Sequence, residues 1–434
     1  MDKNKPKILL VNPPIYDFAA YDFWLKPYGL MAVAGWLRKN CNLFLFDYLD
    51  RLFSAHSGHF DCWGRGHFHK ERIPKPHQFR QIPRYYYRFG RERADFGRFL
   101  QENAPFDAAL IQTVMTYWYP GVREVIEDIR RLCPTAKVIV GGFYATCCPN
   151  HAAKLGADVV VRGDDLSPMF AALGIAASDE ASLPPWELYP TLKTGVMTLT
   201  RGCPFRCGYC FVPQSGVSFA VRPIEKCLDE LAYLIRLGAT DIAFYDDALL
   251  YQADKALLPF LDAVMRRGLK TNFHTPNGLH ARFLTADVAK LMVQAGFGTF
   301  YLGYESNAAA FHGASGGKVA ADELAAAADN LRRAEADMRH VAAYEMLGHP
   351  RFAAQQLEAS MRFANRLGLR VMLSDFSPLP GTPDGELCSD IVDLSEPLNH
   401  NKTAFPIWSL GIETVNYYKD LCRSLNRQIQ ETMG

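Results

Sequence analysis

The chain has almost no excess of either charge: 47 Lys plus Arg face 46 Asp plus Glu, a formal net charge of +1. No global field therefore draws it to nucleic acid or to an anionic membrane, and partners must be sought in local sites. It also lacks any run of about 18 uninterrupted apolar residues, so no bilayer span is expected. The start, MDKNKPKILLVNPP, has too short an apolar run for a secretory signal, and a cytoplasmic location is the expectation. Nothing in the pattern suggests a repeat array or a low-complexity tail. The 11 cysteines do not read as a disulfide framework, because thiols of a long intracellular chain stay reduced and clustered ones serve as metal ligands or catalytic groups. Cys41, Cys62, Cys133, Cys227, Cys388 and Cys422 are scattered singly and read as small buried hydrophobes. Cys147 and Cys148 are adjacent, so their side chains point in different directions.

With 434 residues, 49% hydrophobic and 21% charged, the chain is long enough for two or three folded domains. KILLVN ends at Pro13-Pro14 and reads as a short buried strand. YGLMAVAGWLRKN has helical spacing, and LFLFD is a second strand. The alternation returns with DAALIQT, VREVIEDIRRL and AKVIVGG, which predicts an open, doubly wound (Rossmann-like) α/β domain over residues 1–172, with ligands at the carboxyl ends of its strands. Residues 49–104 interrupt it with GRGHFHK, PKPHQFR and RYYYRFGRER. Such a mixture either packs on its own aromatics as a loop, binds nucleic acid, or stacks on a planar ligand; a cap over the crevice is the preferred functional version, and no nucleic-acid partner is expected.

Residues 173–194 read as a linker broken by Pro184-Pro185. From there VMTLT, TDIAFYD, KTNFHT, TFYLGYE, HVAAYEML and RVMLSDFS alternate with helical stretches. That series predicts a partial (β/α)6 TIM-like barrel over 195–383, reactive at the carboxyl ends of its strands. Residues 384–434 read as a C-terminal extension, a loop and a short helical tail.

Directly after the first barrel strand, TRGCPFRCGYC separates Cys203, Cys207 and Cys210 by three and then two residues. Three thiolates on one loop suit a [4Fe-4S] cluster, and a fourth cysteine is lacking, which leaves one iron open. A zinc site would want a fourth Cys or His at matching spacing. Here CPFRCGYC resembles the CxxxCxΦC signature of radical S-adenosylmethionine (SAM) enzymes, with Tyr209 at the aromatic position. The resemblance implies that SAM chelates the open iron and that the reduced cluster cleaves it to a 5′-deoxyadenosyl radical. It further implies SAM contacts at Tyr209, at Asp246 and Asp247 after the second strand, at Glu305 and Ser306 in LGYESN, and at Gly348 in LGHP. Asp247 has the simpler reading of a helix N-cap. FSPLPGTP is similar to the sixth-strand turn of the cobalamin-associated branch.

The first domain resembles the cobalamin-binding domain that precedes many radical SAM barrels, through NPP, PYGLMAVAGWL, the GG after AKVIV, and GAD followed by RGD. The resemblance implies corrin contacts at Asn12, Gln112, Thr116, Gly141, Gly142 and Ala145. The DxHxxG motif that supplies a lower cobalt ligand elsewhere is lacking, which leaves cobalamin bound without a His ligand, the preferred reading, or a vestigial domain. HTPNGLHARF offers His274, Asn277, His280 and Arg282 as candidate catalytic or substrate contacts; Asn399 and His400 are a further pair. The implied activity is functionalisation of an unactivated carbon, with cobalamin-dependent methyl transfer as the leading reading. Radical rearrangement, cyclisation or dehydrogenation without methyl transfer is the alternative, and an iron–sulfur electron-transfer or scaffold protein is the non-enzyme one. The implied partners are a small-molecule or peptide substrate and a one-electron reductant of flavodoxin or ferredoxin type.

Overall fold

The computed structural model describes residues 4–52, 60–177, 180–306, 319–351 and 353–433. The chain divides into two compact units, one of residues 1–193 with 395–401, the other of 194–394 with 402–434.

The first unit is built on a five-stranded, all-parallel sheet: β1 (Lys7–Asn12), β2 (Asn42–Asp47), β3 (Ala108–Thr113), β4 (Lys137–Gly142) and β5 (Val159–Val161), in the order β5-β4-β3-β1-β2. Successive side chains of a strand point to opposite faces, and here both faces are covered. Leu9, Val11, Ala109, Ile111, Val138 and Val140 pack on one side with helices Arg93–Asn103 and Tyr119–Leu132. Ile8, Leu10, Ala108, Leu110 and Ile139 pack on the other with helices Tyr28–Leu37 and Ser167–Leu173. Burial on both faces is why these strands read as unbroken apolar runs. The doubly wound fold is thus as expected.

The insertion is more ordered than a loop, although its residues 53–59 lie outside the described residues. Tyr86–Phe89 pairs antiparallel with Lys70–Ile73 on one side and with Ile15–Asp17 on the other. Phe18, Phe79 and Tyr86 meet edge to face or tilted beneath this small sheet. Several basic groups are internal: Arg88 grips Glu124 bidentately at 2.7 and 2.9 Å, and Arg51 meets Asp22 at 2.8 Å.

The second unit carries six parallel strands, β6 (Thr194–Met197), β7 (Asp241–Phe244), β8 (Asn272–His274), β9 (Phe300–Glu305), β10 (Val341–Leu347) and β11 (Arg370–Asp375). They form two sheets, β6-β7-β8 and a second in which the short strand Leu279–His280 precedes β9-β10-β11. The part-barrel therefore matches the sequence expectation. Helices Ile224–Arg236, Leu257–Arg266, Ala286–Gln294, Ala321–Arg333 and Ala354–Arg366 alternate with the strands. The chain ends in the 22-residue helix Ile412–Met433, fastened to β11 by Asn426, whose Oδ1 accepts from Val371 N at 2.7 Å and whose Nδ2 donates to Val371 O at 2.9 Å. Among the described residues no helix is long and apolar enough to cross a membrane.

Candidate functional site

The barrel site starts where β6 ends. Thr200–Arg201 pairs antiparallel with Ala220–Val221, so residues 202–219 form a closed excursion that carries all three cysteines. The excursion opens at Gly202, whose φ is +67° and whose missing Cβ would sit 2.8 Å from the carbonyls of Val217 and Ser218; only glycine can make this entry. Cys210 N donates to Cys207 O at 3.0 Å, folding the loop back on itself. Cys203, Cys207 and Cys210 are partly buried and in no disulfide. Burial pushes the Cys210 thiol up to about 12, and the nearby charges of Cys207, Asp247 and Cys203 push the same way.

A cationic iron–sulfur core would offset the charge of the thiolates that ligate it, which suits a buried thiol such as that of Cys210. Among the described residues no three His, Cys, Asp or Glu side chains converge on a point that one metal ion could fill. A cubane asks for less convergence, one thiolate to each of three irons. The donor set fits the cluster.

The other expected SAM contacts fall into two groups. Tyr209 lies in the loop and meets Glu305, which Ser306 follows, and Gly348 precedes His349, whose ring lies 6.2 Å from that of Tyr209. The Tyr209 hydroxyl donates to Glu305 Oε1 at 3.2 Å, and burial, then the Glu305 charge, holds the phenol neutral. Glu305 itself sits at φ +63°, past an irregularity in the β9–β10 register. A non-glycine residue in that region is strained, and such strain concentrates at functional positions. Ser306 is fully buried beside it, and Gly348 turns the chain at φ +84° after β10. Asp246 and Asp247 part company. Asp247 faces solvent at the strand end. Asp246 is buried and turned back: its carboxylate accepts from Leu199 N at 2.9 Å and from Thr200 N and Oγ1, both at 2.6 Å. The carboxylate thus shapes the exit of β6.

Among the candidates of HTPNGLHARF, His274 is directed to internal partners. It is fully buried, with Nε2 3.0 Å from Asp241 Oδ1 and Nδ1 3.1 Å from Thr299 Oγ1, both partners at the amino-terminal ends of their strands. Arg282 pairs with Glu323 on the outer helical layer. Asn277 donates to the carbonyls of Tyr245 and Asp246 at 3.1 and 3.2 Å, so it does lie at the mouth. His280 does as well, its ring 4.9 Å from that of Phe205 in the cysteine loop. The sequence reading missed Phe205, His349, Arg351 and Asp384, although each stands inside or next to a quoted motif.

In the first unit the order β5-β4-β3-β1-β2 reverses between β1 and β3, which is where open α/β sheets bind ligands. A shallow crevice opens there, lined by Asn12 to Ile15, Leu25, Lys26, Leu49, Gln112, Met115 and Trp118 among others. Asn12 and Gln112 are thus on its wall. Asn12 Nδ2 donates to Asp47 Oδ1 at 2.7 Å, and Gln112 Oε1 accepts from Leu30 N at 3.0 Å. Thr116 is buried, 2.9 Å from His400 Nδ1. Gly141, Gly142 and Ala145 instead wrap Thr113: its Oγ1 donates to Gly141 O at 3.0 Å, a Cβ on Gly142 would lie 2.3 Å from its carbonyl, and Ala145 N donates to its Oγ1 at 3.0 Å. The Ala145 side chain belongs to the apolar core.

The arrangement is thus an open α/β unit with a reversal-point crevice, and a parallel part-barrel with three thiols after its first strand. Residues 197–364, which lie within the second unit, match the Radical SAM superfamily. An uncharacterized methyltransferase of Pyrococcus horikoshii is 26% identical over 47% of this chain and 45% of its own, so the chain spans under half the length of that curated relative. Among solved structures, the radical SAM methyltransferase TsrM of Kitasatospora setae superposes with a TM-score of 0.64 at 15% identity, over 89% of this chain and 76% of that one. The cobalamin-dependent radical SAM enzyme OxsB gives 0.57 at 11% identity, over 97% and 61%. At these identities the two likenesses speak for the fold.

Proposed function

We propose that this protein is a radical SAM enzyme that uses a [4Fe-4S] cluster on Cys203, Cys207 and Cys210, together with cobalamin, to methylate an unactivated carbon of a small-molecule or peptide substrate. The observation that carries the reading is the closed loop at the end of β6, with its three neighbouring thiols and the Tyr209–Glu305 bond beside them. When bound, the three groups supply one-electron cleavage of SAM and delivery of a methyl group.

The residues of the chain bind and orient. Asp247 and Glu305 offer carboxylates to the positively charged amine of SAM, for which charge-assisted hydrogen bonds are the strong kind. Tyr209, kept neutral, holds Glu305 from the loop side, and Gly348 lets the backbone come close. Asn277 and His280 stand at the mouth, where a substrate would enter. In the first unit the crevice at Asn12, Lys26 and Gln112 presents mostly apolar wall with a few polar groups, the character of a small-molecule or cofactor site. The names of the relatives favour methyl transfer over the other radical reactions: two are called methyltransferases, and TsrM and OxsB are described with cobalamin bound. A cytoplasmic setting with a flavodoxin- or ferredoxin-like reductant completes the reading.

The test is anaerobic reconstitution of the full chain. It should take up about four iron and four sulfide, show corrin absorption when given cobalamin, and convert SAM to 5′-deoxyadenosine or S-adenosylhomocysteine under reduction. Alanine at any of the three cysteines should abolish iron uptake while the helical circular dichroism persists. Tryptophan, bound as substrate in the Kitasatospora structure, is the first compound to try for methyl transfer. Zinc in place of iron, or SAM left intact by a loaded and reduced protein, would sink the proposal. Deoxyadenosine without methylated product would favour radical chemistry of another kind.

A further inference from the structure

Two quoted motifs have no part in binding SAM so far: the residues after Gly348 and the PGT turn after β11. The structure brings both against the cysteine loop. Asp384 sits in the short helix Pro383–Glu386, capped by Thr382, whose Oγ1 accepts from Gly385 N at 3.1 Å. The side chain of Asp384 is 1% exposed and that of His349 0%. Asp384 Oδ2 lies 3.0 Å from His349 Nε2, and Oδ1 meets the Arg351 guanidinium. Arg351 N donates to His349 Nδ1 at 3.2 Å, which assigns the ring proton to Nε2, aimed at Asp384.

The carboxylate so fixed abuts Gly208, between Cys207 and Cys210. A Cβ on Gly208 would lie 2.8 Å from both carboxylate oxygens. In return Asp384 N donates to Gly208 O at 3.0 Å. Tyr209, the next residue, sets its ring at 88° to that of His349, 6.2 Å away. A buried carboxylate held on one side by two basic side chains and pressed on the other against the bare backbone of a ligand loop is arranged as an outer support of a metal site.

We infer that Asp384, locked by His349 and Arg351, is a positioning residue for the cluster: it fixes the Gly208 corner of the cysteine loop and sets the local field a cluster there feels. The inference rests on the proposed function, and its test separates the two. Full-length protein is reconstituted anaerobically as the unsubstituted chain, as Asp384→Asn and as Arg351→Gln. Iron release to a chelator and the midpoint potential of the cluster are measured, with circular dichroism as the check on folding.

Loss of an outer-sphere partner costs about 10- to 100-fold in metal affinity, so both variants should release iron about tenfold faster or more. The potentials should move in opposite directions. Asp384→Asn leaves the Arg351 cation unopposed and raises the potential, whereas Arg351→Gln leaves the Asp384 anion unopposed and lowers it. A role confined to packing would not split the sign. Iron retention equal to that of the unsubstituted chain, or shifts of one sign in both variants, overturns the inference. If Asp384→Asn does not fold, Arg351→Gln carries the test, because its side chain is 30% exposed and its removal opens no cavity in the core. An unsubstituted chain that takes up no iron and sulfide overturns the proposed function, and the inference with it.

Discussion

Asp246 shows how much of a side chain's surroundings a sequence leaves open. Asp246 and Asp247 follow β7 in irregular backbone, and a sequence does not say which one turns inward. The inward one is Asp246, and burial raises its pKa to about 7 against the hydrogen bonds from Thr200 and Leu199 that hold it down. Its folded pKa is above the unfolded value of about 3.9, so the native state binds more protons across that interval. The contribution of Asp246 to stability is therefore full below about pH 4 and falls as pH rises towards 7. Asp246→Asn removes this dependence. Melts at pH 4, 5.5 and 7 should show the unsubstituted protein losing on the order of 3 kcal/mol relative to the variant across the window; a constant difference between the two would refute the assignment. The three cysteines and Tyr209 were legible because one short loop holds them. His274 was not, because its position at a strand end hides a side chain directed back to Asp241.

Elements buried on both faces announce themselves, and β1, β3 and β4 were legible as apolar runs of the right length. The small sheet of the insertion was not, since what orders it comes from far along the chain. Arg88 finds Glu124 36 residues away, and Arg93 finds Asp128 35 away. The helix bearing those two acids also fixes the rim of the crevice. At its first turn Gly121 passes so close to the Pro13–Pro14 loop that a Cβ would lie 1.9 Å from Pro14 O. Alanine normally stabilises a helix by about 1 kcal/mol relative to glycine. Here the collision with backbone outweighs that gain, because overpacking costs about 1–3 kcal/mol and Pro14 cannot yield without moving the loop. Gly121→Ala should lower the melting temperature and weaken corrin binding, measured by visible absorption. A variant that melts higher and binds corrin as before would show that the loop gives way freely.

For the whole molecule, the least legible feature is that the first unit is not one stretch of chain. Residues 395–401 belong to it although 194–394 intervene, and nothing in PLNHNKT signals a return. The reason is specific pairing by buried polar groups. His400 Nδ1 lies 2.9 Å from Thr116 Oγ1, Asn401 Nδ2 donates to Asp17 Oδ1 at 2.9 Å, and the Tyr119 hydroxyl donates to Glu396 at 3.2 Å. His400 and Asn401 are fully buried. Each such bond contributes about 1 kcal/mol, and a buried group deprived of its partner costs more than the bond was worth. A fragment of residues 1–193 lacks all three partners while keeping the whole sheet. The same fragment with 395–401 appended through a Gly/Ser linker regains them. At roughly 2–4 °C per kcal/mol for a unit of this size, the appended form should melt several degrees higher, offset in part by the entropy of ordering the added segment. His400→Ala introduced into it should erase more than a third of the gain, because it removes one bond of three and leaves the buried Thr116 hydroxyl without that partner. Equal melting of the two fragments would mean that the segment rests on the first unit without supporting it.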